Sequence, residues 1–503
     1  MNQPMNNKVV LFLPPYQGKP LGPSLSLLSL ASPLRREGFQ VSIIDAAIDP
    51  NYLDRLRNEI PSACCFGLSL LTGPMIRPAI EASQLVRRLH PNLPIVYGGW
   101  HPTLLPEQTL QADYVDVVVR GQGEVTFLEL LGCLNSKRPL DGIAGISFKV
   151  DNQIVHNSPR PIIPLDALPM PAYDLVNTEA YQKACGVRKT VYASSVGCPY
   201  ACNYCTDTVF YHRRFNALSP ERVVSEVTGL VRRYELEEVS FLDSNFPVDV
   251  KRALAIARGF IESETKFRWT FQASTDLLCK MSDEEVRLLG ASGASHLGFG
   301  TESGSEEVLR LMNKPHQHIR DMDETARKCH QANIRVTFNL ILGYPGETEA
   351  HRLETFRIME KISRRYSNVS FSPNVFTAYP GIPIWNQMKE LGLKEPQSLE
   401  EWAEVSLGRN RLPWFQGREF RRAKRMTSYF IMNHQLGKDA QTLASQSKKR
   451  LANAFMAPLA WRLRHKFYHF PVDLWLIRAR TQLVMRRSLL TGTSLGEDLE
   501  RIG

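Results

Sequence analysis

Short apolar runs alternate with longer amphipathic stretches along the first 135 or so residues of the chain. Runs of this kind are typical of strands buried on both faces, and apolar positions every three or four residues are typical of helices. The predicted strands are Val9–Leu13, Val41–Asp45, Cys64–Leu68, Ile95–Gly98 and Val115–Val119, with helical stretches such as Leu25–Glu37 and Ile76–Leu89 between them. Strands separated by helices predict a doubly wound parallel sheet.

A second alternation of strands and helices begins near Val191. Its six predicted strands are Val191–Ser195, Glu238–Leu242, Arg268–Ala273, His296–Gly300, Arg335–Ile341 and Val369–Val375. Six such strands with intervening helices predict a partial or complete β/α barrel.

Between the two alternations, residues 143–157 predict a hairpin that turns near Asp151-Asn152, and the five prolines from Pro159 to Pro171 predict a linker. The predicted fold class is therefore α/β. We expect a Rossmann-like domain at residues 1–140, a hairpin and proline-rich linker at 141–185, a barrel at 186–395 and a basic helical region at 396–503.

Composition is ordinary for a globular chain of 503 residues, which is long enough for two to four domains. No run approaches the roughly 18 apolar residues of a membrane-spanning helix. The first 15 residues have no apolar segment of the signal-peptide kind, since the run Val9–Leu13 stops at two prolines. Unpaired thiols and no export signal predict a cytoplasmic protein.

The net charge of +10 is unevenly distributed, because the stretch Arg411–Leu490 alone carries 17 Lys and Arg against three Asp and Glu. Tryptophans lie among these cations at Trp461 and Trp475, and Lys448-Lys449-Arg450 is a further basic cluster. A basic amphipathic helix with Trp can lie on an anionic membrane, which predicts peripheral membrane contact. The same helix can instead pack its apolar face on the barrel. We expect no nucleic-acid partner, since no nucleic-acid-binding module accompanies the charge.

Three cysteines after the first barrel strand, Cys198, Cys202 and Cys205, form a C-x3-C-x2-C run with Tyr204 before the last cysteine. Thiolates hold iron–sulfur clusters, and three on one loop can hold three irons of a 4Fe–4S cube and leave the fourth open. A zinc site usually has four ligands in paired knuckles, and an odd number of nine cysteines suits a disulfide framework poorly. The cysteine run therefore predicts a cluster with an open iron at the barrel mouth, where barrel active sites lie.

The cysteine loop and its place after the first barrel strand resemble those of the radical S-adenosylmethionine (SAM) superfamily, over roughly residues 191–390. The resemblance implies that the open iron binds SAM. It also implies that one electron from the reduced cluster cleaves SAM to methionine and a 5′-deoxyadenosyl radical. An external electron donor of the flavodoxin or ferredoxin type is then needed.

The same resemblance assigns SAM contacts to the ends of three later strands. Asp243 or Asn245 takes the place of the family's acidic turn that receives the SAM amino group. Glu302 and Ser303 follow the fourth strand, in a family-like place for polar contacts. Gly343 lies in a turn similar to the family's adenine-side turn, although Asn339 replaces its usual first glycine. Taken alone, Glu302 is an ordinary helix-start carboxylate.

The first domain resembles cobalamin-binding domains through a Ser-x-Leu … Gly-Gly pattern. The crevice residues that the resemblance implies are Ser69, Leu71, Thr72, Gly98 and Gly99. Glycine permits close approach of a cofactor to the backbone, although a lone glycine pair can equally be a tight turn. The best-known cobalamin domains carry an upstream His that ligates cobalt, whereas the first His here is His90. Bound cobalamin is thus expected to lack that ligand, and His101 is expected to be a surface or turn residue.

Together these features predict a cobalamin-dependent radical SAM enzyme. The favoured reaction is methylation of an unactivated carbon in a large apolar substrate such as an isoprenoid lipid or a tetrapyrrole. One alternative is an oxidoreductase or cyclase of the anaerobic Mg-protoporphyrin ester cyclase type. A further alternative is a non-catalytic corrinoid or iron–sulfur carrier. We expect a cytoplasmic location with contact to the inner face of the membrane.

Overall fold

Two β-sheets flanked by helices account for most of the chain. The computed structural model describes residues 7–16, 18–151, 153–406, 411–442, 457–459, 461–465, 467, 470–473 and 475. The basic clusters at residues 448–450 and 476–480, together with Lys466 and Asn152, lie outside the described residues. Within the described part, no helix is both long and apolar enough to cross a membrane.

The first sheet has seven strands in the order β2-β1-β3-β4-β5-β6-β7. Its strands are β1 (Lys8–Leu13), β2 (Gln40–Asp45), β3 (Cys65–Ser69), β4 (Ile95–Gly98), β5 (Val117–Val119), β6 (Ile146–Val150) and β7 (Gln153–His156). Its helices are α1 (Leu25–Arg36), α2 (Tyr52–Glu59), α3 (Ile76–Leu89), α4 (Trp100–Leu104), α5 (Pro106–Leu110) and α6 (Glu124–Asn135).

Strands β1 to β5 are parallel, and the β6–β7 hairpin adds to β5 in the antiparallel sense. Four consecutive residues of the interior strand β1, Val9 to Phe12, are fully buried, because helices cover both faces of the sheet. The order 2-1-3-4-5 is that of a doubly wound fold, in which ligands bind beyond the carboxyl ends of the strands.

The second sheet has six parallel strands in the order β15-β14-β13-β12-β11-β8. Helix α7 (Thr178–Cys185) precedes it. The strands are β8 (Lys189–Tyr192), β9 (Ser195–Val196), β10 (Asn216–Ala217), β11 (Glu238–Phe241), β12 (Arg268–Ala273), β13 (Ala294–Glu302), β14 (Arg335–Leu342) and β15 (Val369–Val375), where β9 and β10 form a separate small pair. The helices are α8 (Asp207–Phe210), α9 (Pro220–Tyr234), α10 (Val250–Glu262), α11 (Thr275–Lys280), α12 (Asp283–Ala291), α13 (Glu306–Leu311), α14 (Ile319–Gln331), α15 (Glu349–Arg365), α16 (Trp385–Glu390), α17 (Leu399–Trp402) and α18 (Gly417–Thr442).

Helix α9 illustrates how the sequence builds this layer. It starts with Pro220 after the extended Ser219, and proline is favoured at the first helical position. Val223, Val227 and Val231 lie on the buried face at a spacing of four residues. Each fully buried side chain of this size contributes about 1.5–3 kcal/mol. The result is an open sheet with helices over it, so the predicted α/β class with a partial β/α barrel is confirmed.

After the barrel the chain returns to the first domain, in a stretch that we call the return segment (residues 398–405). Trp402 is fully buried in the core of the first domain, and its indole N–H donates to Gln108 at 2.5 Å. The hydroxyl of Tyr114 donates to Glu400 at 3.3 Å. The first domain is therefore completed by residues from beyond the barrel.

Candidate active site between the two sheets

The three cysteines lie on a loop beyond the carboxyl end of β8. The chain passes through β9 and turns at Gly197 directly before Cys198. Gly197 has φ +75°, and a Cβ atom there would clash with the carbonyl oxygen of Arg214, so only glycine fits. The loop thus starts from a fixed point on the barrel.

A short stretch after α13 holds the middle of the cysteine loop. The backbone N–H of Asn203 donates to the Met312 carbonyl at 3.1 Å, and the Asn203 side chain donates to the Leu311 carbonyl at 2.8 Å. The Asn313 side chain donates a hydrogen bond to the Ala201 carbonyl at 2.7 Å. These bonds fix the backbone on both sides of Cys202.

The thiols themselves are free and shielded from water, with Cys202 buried and Cys198 and Cys205 half-buried. Burial raises the pKa of all three, and the pKa of Cys205 reaches about 12 because Asp207 and the other two thiols add to the effect of burial. Binding of iron therefore displaces protons from them. In the described part of the chain, no three His, Cys, Asp or Glu side chains form a site for a single metal ion. Cys202 raises the pKa of Cys198, and both raise that of Cys205, so the three thiols lie close together. Three neighbouring thiols on one loop fit a group with several irons, each bound by one sulfur.

Asp243 and Asn245, the predicted contacts for the SAM amino group, have different surroundings. The Asp243 carboxylate is 1% exposed. It accepts bonds from the Ser194 hydroxyl at 2.6 Å and the Ser195 hydroxyl at 2.5 Å. Its hydrogen bonds hold the start of the cysteine loop. The Asn245 amide lies 4.0 Å from the Cys198 sulfur and donates to the Ser274 hydroxyl at 3.2 Å, so Asn245 is the member of the pair beside the cysteines.

Glu302 ends β13 in a left-handed conformation, with φ +59°, which is uncommon for a residue with a side chain. Its carboxylate accepts a bond from the Tyr204 hydroxyl at 2.9 Å and pairs with the Lys314 ammonium at 3.2 Å. Ser303, next in the chain, contacts the hydroxyl of Thr355 at 3.3 Å.

Lys314 is a site residue that the sequence did not indicate, because a lysine after a helix has no distinguishing pattern. Its ammonium also donates to the Gly300 carbonyl at 2.5 Å. Burial lowers its pKa, but Glu302, Cys202 and Cys205 raise it by more, so the pKa is above its usual value. The result is a permanent positive charge beside the cluster thiols.

Gly343 lies at the carboxyl end of β14 with φ +78°. Its N–H donates to Glu347 at 2.5 Å, and its carbonyl accepts from the indole of Trp414 at 2.9 Å. The ring of Phe415 fills the space that a side chain at position 343 would need. Residues 411–416, which follow the barrel, therefore cover this turn.

The predicted cobalamin residues meet at the carboxyl ends of β3 and β4, where Ser69 pairs with Gly98 in the sheet register. Gly99 has φ +92°, and a Cβ atom there would lie 2.8 Å from the backbone N and O of Leu70. The Leu71 side chain is half exposed, at 50%. This edge offers a bare backbone flanked by small and apolar side chains, which fits the approach of a large cofactor.

His101 is fully buried, so the expectation of a surface residue is wrong. Its Nδ1 lies 2.9 Å from the Thr72 hydroxyl, and its ring meets the Trp402 ring edge-on. Among the described residues, its Nε2 has no hydrogen-bond partner. Burial lowers its pKa to about 4. The sequence did not indicate that His101 is buried, because the return segment that covers it lies about 300 residues further along the chain.

The loop after β1, where the best-known cobalamin domains carry their cobalt-ligating His, packs here against the barrel. A Cβ atom at Gly22 would lie 2.9 Å from the Val191 side chain, and the Cys185 thiol donates to the Pro20 carbonyl at 3.2 Å. The loop contains no His. It cannot supply an imidazole to a ligand at the first sheet.

The two carboxyl edges meet where α4, which follows the Gly98-Gly99 pair, contacts α8, which follows Cys205. The predicted sites of the two cofactors lie on either side of this contact, and we call the region between them the gap. The sequence could not predict that the two sites adjoin each other, because a sequence pattern locates each site only within its own domain.

Comparison with known proteins agrees with this architecture. The profile of the radical SAM superfamily matches residues 192–359, and that of the B12 binding domain matches residues 18–131. An uncharacterized methyltransferase of Pyrococcus horikoshii is 31% identical over 391 residues, which cover 75% of this chain and 82% of the relative. The anaerobic magnesium-protoporphyrin IX monomethyl ester cyclase of Synechocystis sp. is 28% identical over 62% of this chain and 63% of the relative.

The fold also matches a solved structure. The cobalamin-dependent S-adenosylmethionine radical enzyme OxsB, with aqua-cobalamin and S-adenosylmethionine bound, superposes with a TM-score of 0.70 at 17% identity. The match covers 99% of this chain and 82% of the other. At this identity the similarity concerns the fold.

A radical SAM barrel joined to a B12-binding sheet defines a class of enzyme that combines a 4Fe–4S cluster, SAM and cobalamin. The chain belongs to this cobalamin-binding radical SAM family, which confirms the resemblance and the predicted cofactors. It is an enzyme, and the alternative of a non-catalytic carrier is set aside.

Proposed function

We propose that the enzyme methylates an unactivated carbon of a large apolar substrate, such as an isoprenoid lipid or a tetrapyrrole. The observation that carries the proposal is the meeting of the two carboxyl edges, α4 against α8, beside the Cys198–Cys205 loop. A substrate in the gap is within reach of both cofactors. The methyltransferase relative supports the reaction type, and the cyclase relative supports a tetrapyrrole-sized substrate.

The residues of the chain bind and orient the cofactors. Cys198, Cys202 and Cys205 hold the cluster, and Asn245, Glu302, Ser303 and Gly343 surround the place proposed for SAM. When bound, SAM and the cluster supply hydrogen abstraction, and cobalamin supplies the methyl group. Lys314 pairs with Glu302 and donates to the Gly300 carbonyl, so it holds the end of β13 in place beside the cysteine loop. Ser69, Leu71, Thr72, Gly98 and Gly99 form the crevice for cobalamin, with no His from the β1 loop. An external donor of the flavodoxin or ferredoxin type reduces the cluster.

Product analysis tests this function. The reconstituted enzyme is incubated anaerobically with a reductant, methyl-deuterated SAM and, separately, an isoprenoid lipid extract and a tetrapyrrole mixture. We expect a product heavier by one labelled methyl in place of hydrogen. The Cys202→Ala variant, which loses a cluster ligand, is the matched inactive control.

A cyclase activity is the second candidate, since the relative from Synechocystis sp. is of that type. It predicts 5′-deoxyadenosine and an altered tetrapyrrole without a deuterated methyl group. Absence of 5′-deoxyadenosine under all conditions would contradict both candidates.

We further propose that the enzyme reaches its substrate from an anionic membrane surface. In the described part of the C-terminal region, Trp461, Phe470 and Trp475 are 53%, 79% and 67% exposed. Arg464 is exposed among them. Aromatic side chains beside cations suit the interface between lipid and water.

A further inference from the structure

Three aromatic side chains join the two cofactor sites, and we call them the aromatic wall: Trp100, Phe210 and Tyr211. The Trp100 and Phe210 rings are stacked, with centroids 4.3 Å apart and planes at 29°. Tyr211 meets Trp100 edge-on at 5.8 Å. Trp100 belongs to the first domain and the other two to the barrel, so the wall spans the gap.

The wall is fixed at both ends by the same glycines that shape the cofactor sites. Trp100 directly follows Gly99, whose backbone packs on Leu70 with no room for a side chain. A Cβ atom at Gly197, next to Cys198, would lie 2.9 Å from Tyr211. Phe210 is the last residue of α8, which begins two residues after Cys205.

The three side chains of the wall are half-buried, so part of each remains accessible. Leu71, which follows the carboxyl end of β3, is 50% exposed. Accessible apolar side chains at one edge of a fold usually mark a binding surface.

We infer that the aromatic wall binds an apolar or aromatic part of the substrate and holds it between the two cofactors. The inference rests on the proposed function, because that function places a substrate in the gap. Flat apolar groups pack well against aromatic faces.

Probe binding tests the inference without knowledge of the substrate. The probe is N-phenyl-1-naphthylamine, an uncharged aromatic compound whose fluorescence rises in apolar sites. It is titrated into full-length protein loaded with cluster and cobalamin. We expect Trp100→Ala and Phe210→Leu each to raise the Kd of the wall site at least fivefold, and Trp100→Phe to restore most of the affinity.

Phe470→Ala, at an exposed position far along the chain, is the matched control and should leave the Kd of the wall site unchanged. Unchanged binding of the probe to both Trp100→Ala and Phe210→Leu would overturn the proposed role of the aromatic wall.

The two proposals fail separately. If these variants lose probe binding but the wild type forms no methylated product, the proposed reaction is refuted and the proposed role of the aromatic wall is supported. Methyl transfer by the wild type with unchanged probe binding in the variants refutes the wall and leaves the reaction.

Discussion

Two adjacent glycines at the end of β4 have different roles. A side chain at Gly99 would meet the backbone of Leu70 at 2.8 Å, whereas the nearest atoms to a Cβ at Gly98 are 3.8 Å away. Gly99 is therefore required by the protein's own packing. Gly98 is not, and we attribute its small size to the proposed approach of cobalamin.

The Gly98→Leu variant should accordingly fold but lose cobalamin. The leucine has space next to the sheet yet occupies the crevice, so we expect at least a tenfold loss of cobalamin affinity, measured by absorbance after anaerobic gel filtration. Gly132→Leu is the control, since nothing lies within 4 Å of a Cβ there. A normal cobalamin content in Gly98→Leu would place the crevice elsewhere.

The buried His101 makes stability depend on pH. Burial lowers its pKa from 6.5 to about 4, so between those values the unfolded chain binds a proton that the folded chain does not. Stability is therefore full above pH 6.5 and falls as the pH drops toward 4, by up to about 1.4 kcal/mol per pH unit.

Urea unfolding of the protein without cofactors at pH 7.5 and 5.5 tests this effect. We expect His101→Gln to lose less stability between the two values than the wild type. His316, whose pKa burial also lowers to about 4, retains its own contribution. Replacement of the exposed His212 should leave the loss of stability between pH 7.5 and 5.5 as it is in the wild type. An equal loss in wild type and His101→Gln would contradict the assignment.

At the scale of elements, the sequence predicted most strands because strands buried on both faces appear as continuous apolar runs. It predicted the hairpin of β6 and β7 but not that this hairpin extends the first sheet. Periodicity reports which face is buried and does not name the partner strand. The sequence also located the cysteine loop, because its three cysteines lie close together in the chain. It missed Lys314 and the stacking of Trp100 on Phe210, because both depend on contacts between distant elements.

Residues 411–416 cover the turn after β14, and this contact gives a prediction at the scale of elements. The Trp414 indole holds the Gly343 carbonyl, and one such bond contributes roughly 1 kcal/mol. If Gly343 contacts SAM, Trp414→Ala should raise the Kd for SAM about fivefold. Iron content should not change, because among the described residues the Trp414 indole donates to Gly343 and not to the cysteine loop. Trp461→Ala, at an exposed site, is the control. Unchanged SAM binding would show that the turn at Gly343 does not contact SAM.

At the scale of the whole molecule, positive charge is concentrated at one end of the sequence. The stretch Arg411–Leu490 has 17 basic and three acidic residues, and each cation near an anionic leaflet adds roughly 1 kcal/mol of attraction, which salt screens. The exposed Trp461 and Trp475 add apolar contact. Binding is therefore expected to depend on both lipid charge and ionic strength.

Sedimentation with liposomes checks this expectation. The full-length protein should pellet with anionic vesicles at low salt, pellet less at high salt and stay in solution with neutral vesicles. Replacing Trp461 and Trp475 together by Ala should weaken binding at low salt. Failure to pellet with anionic vesicles at low salt would assign the basic region to packing or to covering the substrate.

The return segment has a consequence for how the chain folds during synthesis. The core of the first domain includes Leu399, Trp402 and Ala403, yet its last strand, β7, ends at His156. On the order of 250 residues separate the two, which a ribosome adds in roughly 12–50 s at about 5–20 residues per second. During that time the surface around His101 and Gln108 lacks its cover. The nascent first domain is thus an unfinished intermediate, and we expect ribosome-bound chains that stop before residue 399 to be cleaved by proteases more readily than chains that extend well beyond it.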